Sequence, residues 1–339
     1  MTRICFASLD RFHGGLAAAR GLAGNLGASW AVIPSDGGAP PLATEADVVV
    51  VSSWCPRYEA LFTECRGLVV PYWRSTALEG TGGGTPGQLD RVLAHLGRGD
   101  VAAVAVEDAH LAKVLARPGV VHLPPLPPRL APIAQPEQLT GVNVSLFGTG
   151  VAEQNLWAQA TAFGLLRRRT AFAQYTLHLN GQTERHPWLS QWLGTLGATY
   201  VDHGWLDRPR YHALVAGMDA GLCAALGRGY GYVAADHVEL GVPVVVSPGV
   251  TCLGGQTPRT QPDDVEAISR ALSDCVADRL AIARAQRAAF EDRARGNLTG
   301  ALRAMHDLLA RASAHPARPS APGQRLARFR ELRLDRTVP

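Results

Sequence analysis

Residues 227–246 read GRGYGYVAADHVELGVPVVV, three glycines in five positions followed by a helix-forming stretch and then a β-branched run. A Gly-rich turn that feeds a helix lets backbone N–H groups approach a phosphate, and the helix dipole favours the anion. Asp236 falls about one and a half turns into that helix, where a carboxylate can accept from both hydroxyls of a ribose. Gly241 ends the helix and Pro243 prevents its continuation. An ordinary strand–helix–strand unit with a capping glycine would also produce this turn, so the segment needs support from elsewhere in the chain.

Other residues have suitable chemistry but weaker context. His13 sits beside Gly14 and Gly15. Tyr72, Trp73, Arg74 and Ser75 precede Glu79, the best-placed carboxylate of the first half for general-base work. No D-x-D motif occurs, so nothing calls for a metal-bridged diphosphate, and no metal is expected. His203, His212 and His237 follow one another in order but on separate elements, which argues against a shared metal. The six cysteines, at 5, 55, 65, 223, 252 and 275, include no C-x-x-C pair and read as buried free thiols. Cys55 and Cys65 lie close enough to meet across a turn, but a reducing compartment would keep them apart.

The elements that must position these groups are short apolar runs alternating with helices. In the first half the strands are 3–9, 29–35, 47–53, 67–73, 101–108 and 119–125. Helices fall near 85–97 and 109–116, and a glycine-containing loop at 13–15 leads into another. Runs of valine without alternation predict strands buried on both faces of a parallel sheet. Residues 123–137 are Pro-rich and suit a linker. In the second half, strands at 142–148, 175–181, 199–206, 220–226 and 242–248 alternate with helices at 152–168, 187–197, 207–218 and 231–240. Long helices follow at 262–277 and 279–312. The expected fold class is α/β, two Rossmann-like doubly wound domains in series. The expected parts are a first domain over 1–128, a linker at 129–140, a second domain with C-terminal helices over 141–312, and a flexible basic tail over 313–339.

The chain has 339 residues, enough for two domains, and 47% are hydrophobic, which argues against wholesale disorder. The apolar start is too short and too polar for a signal peptide, and no run reaches the ~18 apolar residues of a spanning helix. A cytoplasmic protein without integral membrane association is expected. Its net charge is +4, and residues 315–339, with six Arg, one Glu and one Asp, hold all of that excess. The only lysine is Lys113.

The segment GYGYVAAD–HVELGVPVVVS resembles the signature of retaining GT-B glycosyltransferases of the family-4 type, E-G-F-G-x-x-x-x-E-A-x-x-x-G-x-P-V-V, and within it a phage and bacterial subgroup carrying V-A-A-D. Further pieces come in the family's order: Gly14-Gly15 at the glycine loop, PYWRSTALEG (71–80) before the inter-domain cleft, FGTGVAEQN (147–155) at a phosphate-binding turn, then LHLNG (177–181) and 201–223. The resemblance is strong over 142–250 and loose before that. It implies a nucleoside diphosphate sugar, UDP-sugar first, as donor, held by Gly14, Gly15, Gly148, Thr149, Gln154, Gly229, Tyr230, Gly231 and Asp236. It places Tyr72, Arg74 and Ser75 on the acceptor side, and Arg228, Glu79 and His13 at the reacting sugar.

Two departures divide the reading. The first Glu of the family's pair falls at Arg228, and the phosphate turn's usual Lys and Arg fall at Gln154 and at Thr149 or Gly150. Either Arg228 takes over the diphosphate, or the chain binds a nucleotide or saccharide without turnover; a sugar-nucleotide epimerase is a third option. The implied acceptor is a hydroxyl of a saccharide, or of DNA bearing a hydroxymethylated base, which the basic tail would suit. A membrane surface bearing lipid-linked acceptors would suit the same tail. The oligomeric state is left open.

Overall fold

The computed structural model describes residues 3–9, 13–33, 40–52, 61–74, 87–127, 129–131, 141–148, 154–166, 168–169, 174–227, 229–253 and 259–314. Cys55, Ser75, Glu79, Thr149, Gly150, Arg228, most of the Pro-rich linker and the basic tail from 315 lie outside them. The described chain divides into two compact units. One takes residues up to Arg74, those from 87 to 127, and those from Thr299 onward; the other runs from Arg129 to Leu298.

The first unit contains β1 (Ile4–Leu9), α1 (His13–Leu26), β2 (Ser29–Ile33), α2 (Pro41–Thr44), β3 (Val48–Ser52), α3 (Leu61–Glu64), β4 (Leu68–Trp73), α4 (Gln88–Gly97), β5 (Val104–Val106), α5 (Ala109–Leu115) and β6 (Val120–His122). Its six strands lie in the order β2-β1-β3-β4-β5-β6, every pair parallel. β3 and β5 are buried at every position, as their unbroken apolar runs demand. One core joins Ala7, Val49, Val51, Val69, Val104 and Val106 of the sheet to Val92 of α4 and Leu111 of α5.

The second unit contains β7 (Val142–Ser145), α6 (Leu156–Leu166), β8 (Tyr175–Leu179), α7 (Gln182–Arg185), α8 (Pro187–Thr195), β9 (Thr199–Asp202), α9 (Arg208–Ala216), β10 (Ala220–Cys223), α10 (Tyr232–Glu239), β11 (Val244–Val246), α11 (Val265–Ala277) and the part of α12 (Arg279–Ala314) up to Leu298; the rest of α12 belongs to the first unit. Its strands run in parallel in the order β11-β10-β7-β8-β9. In order of appearance that is 5-4-1-2-3, so the winding reverses between β7 and β10, and open α/β sheets bind ligands beyond the strand ends at such a point. Val144 and Leu146 share a core with Phe163 of α6, Leu189 and Leu193 of α8, and Leu272 of α11. Ser145 points to the other face and to α10. Gln286 of α12 bonds both backbone groups of Val244 (2.9 and 2.7 Å), which closes the free edge of β11.

Both halves are therefore doubly wound α/β layers, as the valine runs predict. One local expectation is corrected: the backbone of His13, Gly14 and Gly15 already belongs to the first turn of α1 rather than to a preceding loop. Without a side chain, Gly14 and Gly15 let a helix start close to the end of β1, the point where this sheet reverses its winding.

Candidate functional site

The C-terminal end of β10, next to that of β7, leads into the predicted Gly-rich turn. Gly231 is the N-cap of α10 with φ 80°, and a Cβ there would lie 2.5 Å from Val250. A glycine is needed for both reasons. Gly229 donates its N–H to Gly249 (3.0 Å) and accepts from Thr251 (2.9 Å), and Tyr230 accepts from Cys252 (2.9 Å). The turn is thus built as a short parallel ladder with residues 249–252. The Gly229 amide is used within the fold, so the donors aimed past the strand ends are those of the α10 N-terminus itself.

At the end of β7, Gly148 has φ 151°, and a Cβ there would strike the Gln154 side chain at 2.4 Å. The turn around it is held by two amides. Asn180 accepts from the Gly148 N–H (3.0 Å), and Gln182 donates to the Leu146 carbonyl (2.8 Å). Buried Gln159 donates to the Gln154 carbonyl (2.5 Å) and accepts from the Ala224 N–H (2.8 Å), tying the β7 turn to the end of β10. Asn155 adds a bond to the Pro262 carbonyl. Gly148 and Gln154 are therefore neighbours, at the same sheet end as Gly229–Gly231.

Asp236 lies on α10 with its side chain 9% exposed. Arg208, the first residue of α9, places a guanidinium nitrogen 3.4 Å from its carboxylate, and His212 Nε2 lies 3.9 Å away. Burial pushes the carboxyl up to about 6, while Arg208 and the adjoining Tyr211 hydroxyl draw it back down. Burial, helped by Arg208, holds His212 down to about 4. Glu239, one turn further along α10, accepts from the Leu130 N–H (2.6 Å), and burial pushes it up to about 7.

His237 occupies the opposite role to a ligand. Its Nδ1 lies 2.7 Å from the Val233 carbonyl and must donate there, so Nε2 accepts from Ser145 Oγ–H at 2.5 Å. Burial keeps it neutral, down to about 4. Its ring lies over Gly221 of β10, where a Cβ would come within 2.6 Å. His203 instead stacks on His178, rings 8° from parallel and Nε2 2.9 Å from Nδ1. From there a polar chain runs through Asn143 and Asp219 to buried Arg279. His203, His212 and His237 thus end in three separate networks. Among the described residues no group of three or more His, Cys, Asp or Glu converges as a metal would require. No described helix is long and apolar enough to cross a membrane.

In the first unit, Tyr72 is wholly buried on β4, and its hydroxyl donates to the Leu123 carbonyl (3.1 Å) beside Glu107 (3.4 Å). It supports the strand ends and does not present a surface to a substrate. Arg74, just past β4, pairs with buried Glu107 at 3.2 Å. Sequence reading missed Arg208, Tyr211, Asn180, Gln182, Gln159 and Glu107. The signal for Asn180 and Glu107 was a polar side chain directly after an apolar strand.

No protein-family model and no curated protein matches the chain. Solved structures do. The HepE protein of Anabaena, in complex with UDP and glucose, aligns over 91% of this chain and 100% of its own with 13% identity and a TM-score of 0.63. A UDP-forming trehalose-phosphate synthase of Burkholderia xenovorans aligns over 92% and 99%, with 12% identity and a TM-score of 0.62. A glycosyltransferase of Rickettsia africae aligns over 91% and 99%, with 10% identity and a TM-score of 0.59.

The fold is GT-B.

In the GT-B frame, the reversal point between β7 and β10 is where the second unit gathers Gly148, Gln154, Gly229–Gly231 and the α10 N-terminus. Asp236 stands on the same helix, but beneath Arg208 rather than open to solvent. Gly14 and Gly15 stand at the corresponding point of the first unit.

Proposed function

We propose that this chain is a glycosyltransferase that takes a sugar from a nucleoside diphosphate sugar, a UDP-sugar first, to a hydroxyl of a saccharide acceptor. One observation carries the reading: α10 opens on a positive-φ glycine at the winding reversal of the second sheet, with a carboxylate on the same helix. Support comes from similar folds whose structures hold UDP and glucose or that are named as UDP-forming. In this reading the α10 N-terminus stabilises the leaving diphosphate electrostatically, aided by Arg228, and Asp236 turns from Arg208 to the ribose hydroxyls. The diphosphate itself accepts the acceptor's proton, with retention at the anomeric carbon and without metal.

The pairing of Asp236 with Arg208 favours one second reading, nucleotide binding without transfer. A thermal-shift panel of UDP, GDP, ADP, CDP and dTDP with their sugar conjugates tests the site. A ligand at about 100 times its Kd stabilises by roughly 2.7 kcal/mol. A shift with one nucleotide that vanishes in Asp236→Ala supports the donor site; no shift with any of them removes it. Release of free nucleotide from the sugar conjugate in the presence of a saccharide acceptor then separates transfer from binding.

A further inference from the structure

The helices α6 and α8 cover the face of the second sheet opposite α10, and neither contains a charged residue: they read LWAQATAFGLL and PWLSQWLGT. In a chain that is 18% charged, that leaves these two helices with no ion to hold water or phosphate. What they expose is tryptophan. Trp157 is 51% exposed and Trp188 41%. Trp157 stacks on Trp192 with ring centres 5.6 Å apart and planes 26° apart. Trp188 and Trp192 lie four residues apart on α8, about 6 Å along its axis, and the His186 ring lies 6.2 Å from Trp188. The stripe therefore runs Trp157, Trp192, Trp188, His186.

The Trp192 ring, on which Trp157 stacks, is held by a hydrogen bond. Trp192 Nε1–H donates to Thr161 Oγ1 (2.9 Å), and Thr161 donates in turn to the Trp157 carbonyl (2.7 Å). Gln191 and Thr195 are exposed on the same helix as Trp188 and offer amide and hydroxyl groups. Arg185, next to His186, has its guanidinium over the Trp205 ring at 4.7 Å.

We infer that this stripe binds an uncharged saccharide chain, whose C–H faces stack on the indoles while its hydroxyls meet the flanking polar side chains. Flat, half-exposed, prepositioned aromatic rings suit pyranose faces and lose little entropy on binding. Single-stranded nucleic acid also stacks on aromatic rings, but it requires basic side chains along the groove; α6 and α8 have none, and the guanidinium of Arg185, beside the end of the stripe, lies over the Trp205 ring. A second copy of the chain would need a broad apolar core of about 800 Å² per partner. The large apolar side chains exposed on α6 and α8 are these two tryptophans alone, flanked by polar groups. The inference rests on the transferase reading only for why a saccharide chain would be at hand: it would hold a polymeric acceptor away from the donor turn.

The test is affinity electrophoresis of the full chain through gels containing hydroxyethyl cellulose, dextran, glycogen or galactomannan. Retardation in at least one gel is expected, with Trp157→Ala and Trp188→Ala each weakening it tenfold or more; both side chains are half exposed, so the variants keep the wild-type melting temperature. No retardation in any of the four gels overturns the inference. So does retardation that both variants retain, binding of a single-stranded oligonucleotide instead, or a dimer in sedimentation that Trp188→Ala dissociates. The nucleotide thermal shift of the same variants is read in parallel. If the wild type is retarded but no nucleotide shifts it, the transferase reading fails and the saccharide stripe stands.

Discussion

Arg208 of α9 holds its guanidinium 3.4 Å from the carboxylate of Asp236 on α10, with the Asp236 side chain 9% exposed and Arg208 22%. The two helices are thereby joined through the residue expected to meet a ribose. Arg208→Ala leaves a buried carboxyl with its main compensating charge removed. We expect a loss of about 1–3 kcal/mol at pH 7, shrinking as the pH falls and the carboxyl becomes neutral. Urea melts at pH 7 and pH 5 check this; equal losses at both would show that the pair does not matter electrostatically.

Asp236→Asn separates binding from stability. The Asp236 carboxyl is raised from 3.8 to about 6 chiefly by burial. Between those values the folded state holds a proton that the unfolded state has released, so this group's contribution to stability falls as pH rises through that window. An uncharged amide escapes the cost. The variant should melt at or above the wild-type temperature at pH 7 while losing any nucleotide-induced shift.

Three histidines act with the opposite sign. Burial brings His178, His212 and His237 down from 6.5 to about 4. Their stabilising contribution is present above 6.5 and is lost as pH falls towards 4, because the unfolded state then binds protons that the folded state refuses. His178 meets His203, Asn143 and nearby backbone; His212 meets Arg208 and Asp236; His237 meets Ser145 and Val233. His178→Gln should flatten the fall in melting temperature between pH 6.5 and 4.5; an unchanged slope would remove His178 as a contributor.

Gly221→Ala places a methyl 2.6 Å from the His237 ring. The ring cannot move without leaving Ser145 or Val233, so a loss of about 1–3 kcal/mol is expected. Ser145→Ala, which removes only the hydroxyl that donates to Nε2, should cost about 1–2 kcal/mol. Denaturant titration of the two variants and their double mutant should show non-additive losses, since both act on one ring.

Tyr72→Phe removes a buried hydroxyl that donates to the Leu123 carbonyl. A loss of about 1–2 kcal/mol is expected, with no change in nucleotide affinity, because Tyr72 lies inside the first unit. A nucleotide shift that weakened along with stability would give Tyr72 a role at the ligand.

Much of this architecture was legible in the chain. Valine runs such as 48–51 and 244–246 bury both faces of a strand, and that environment leaves no polar alternation to confuse the reading. The helices of four residues, α2, α3 and α7, were not legible, because one turn is too short to establish a period. The Gly-rich turn was legible because Gly231 needs both its φ and its space. Arg208 was not: it stands 28 residues before Asp236 on another helix, and only folding makes them partners. The partner of His237 was not legible, because Ser145 is 92 residues away. The burial of Tyr72, expected on the acceptor side, was not legible either, because an aromatic beside Arg74 gives no hint of which end of a strand lies inside.

The parallel pairing of β7 with β10 has a consequence for how the chain reaches this state. It joins Ser145 to Gly221, with β8 and β9 and their helices intervening. Contacts between such distant positions close a long loop and are made only after nearer pairings have offset its entropy. The Gly-rich turn sits at the end of β10, on that seam, so it is complete only once this distant pairing has formed. A nascent or truncated chain that stops before β10 would possess β7, β8 and β9 with nothing at the reversal point to grip an anion.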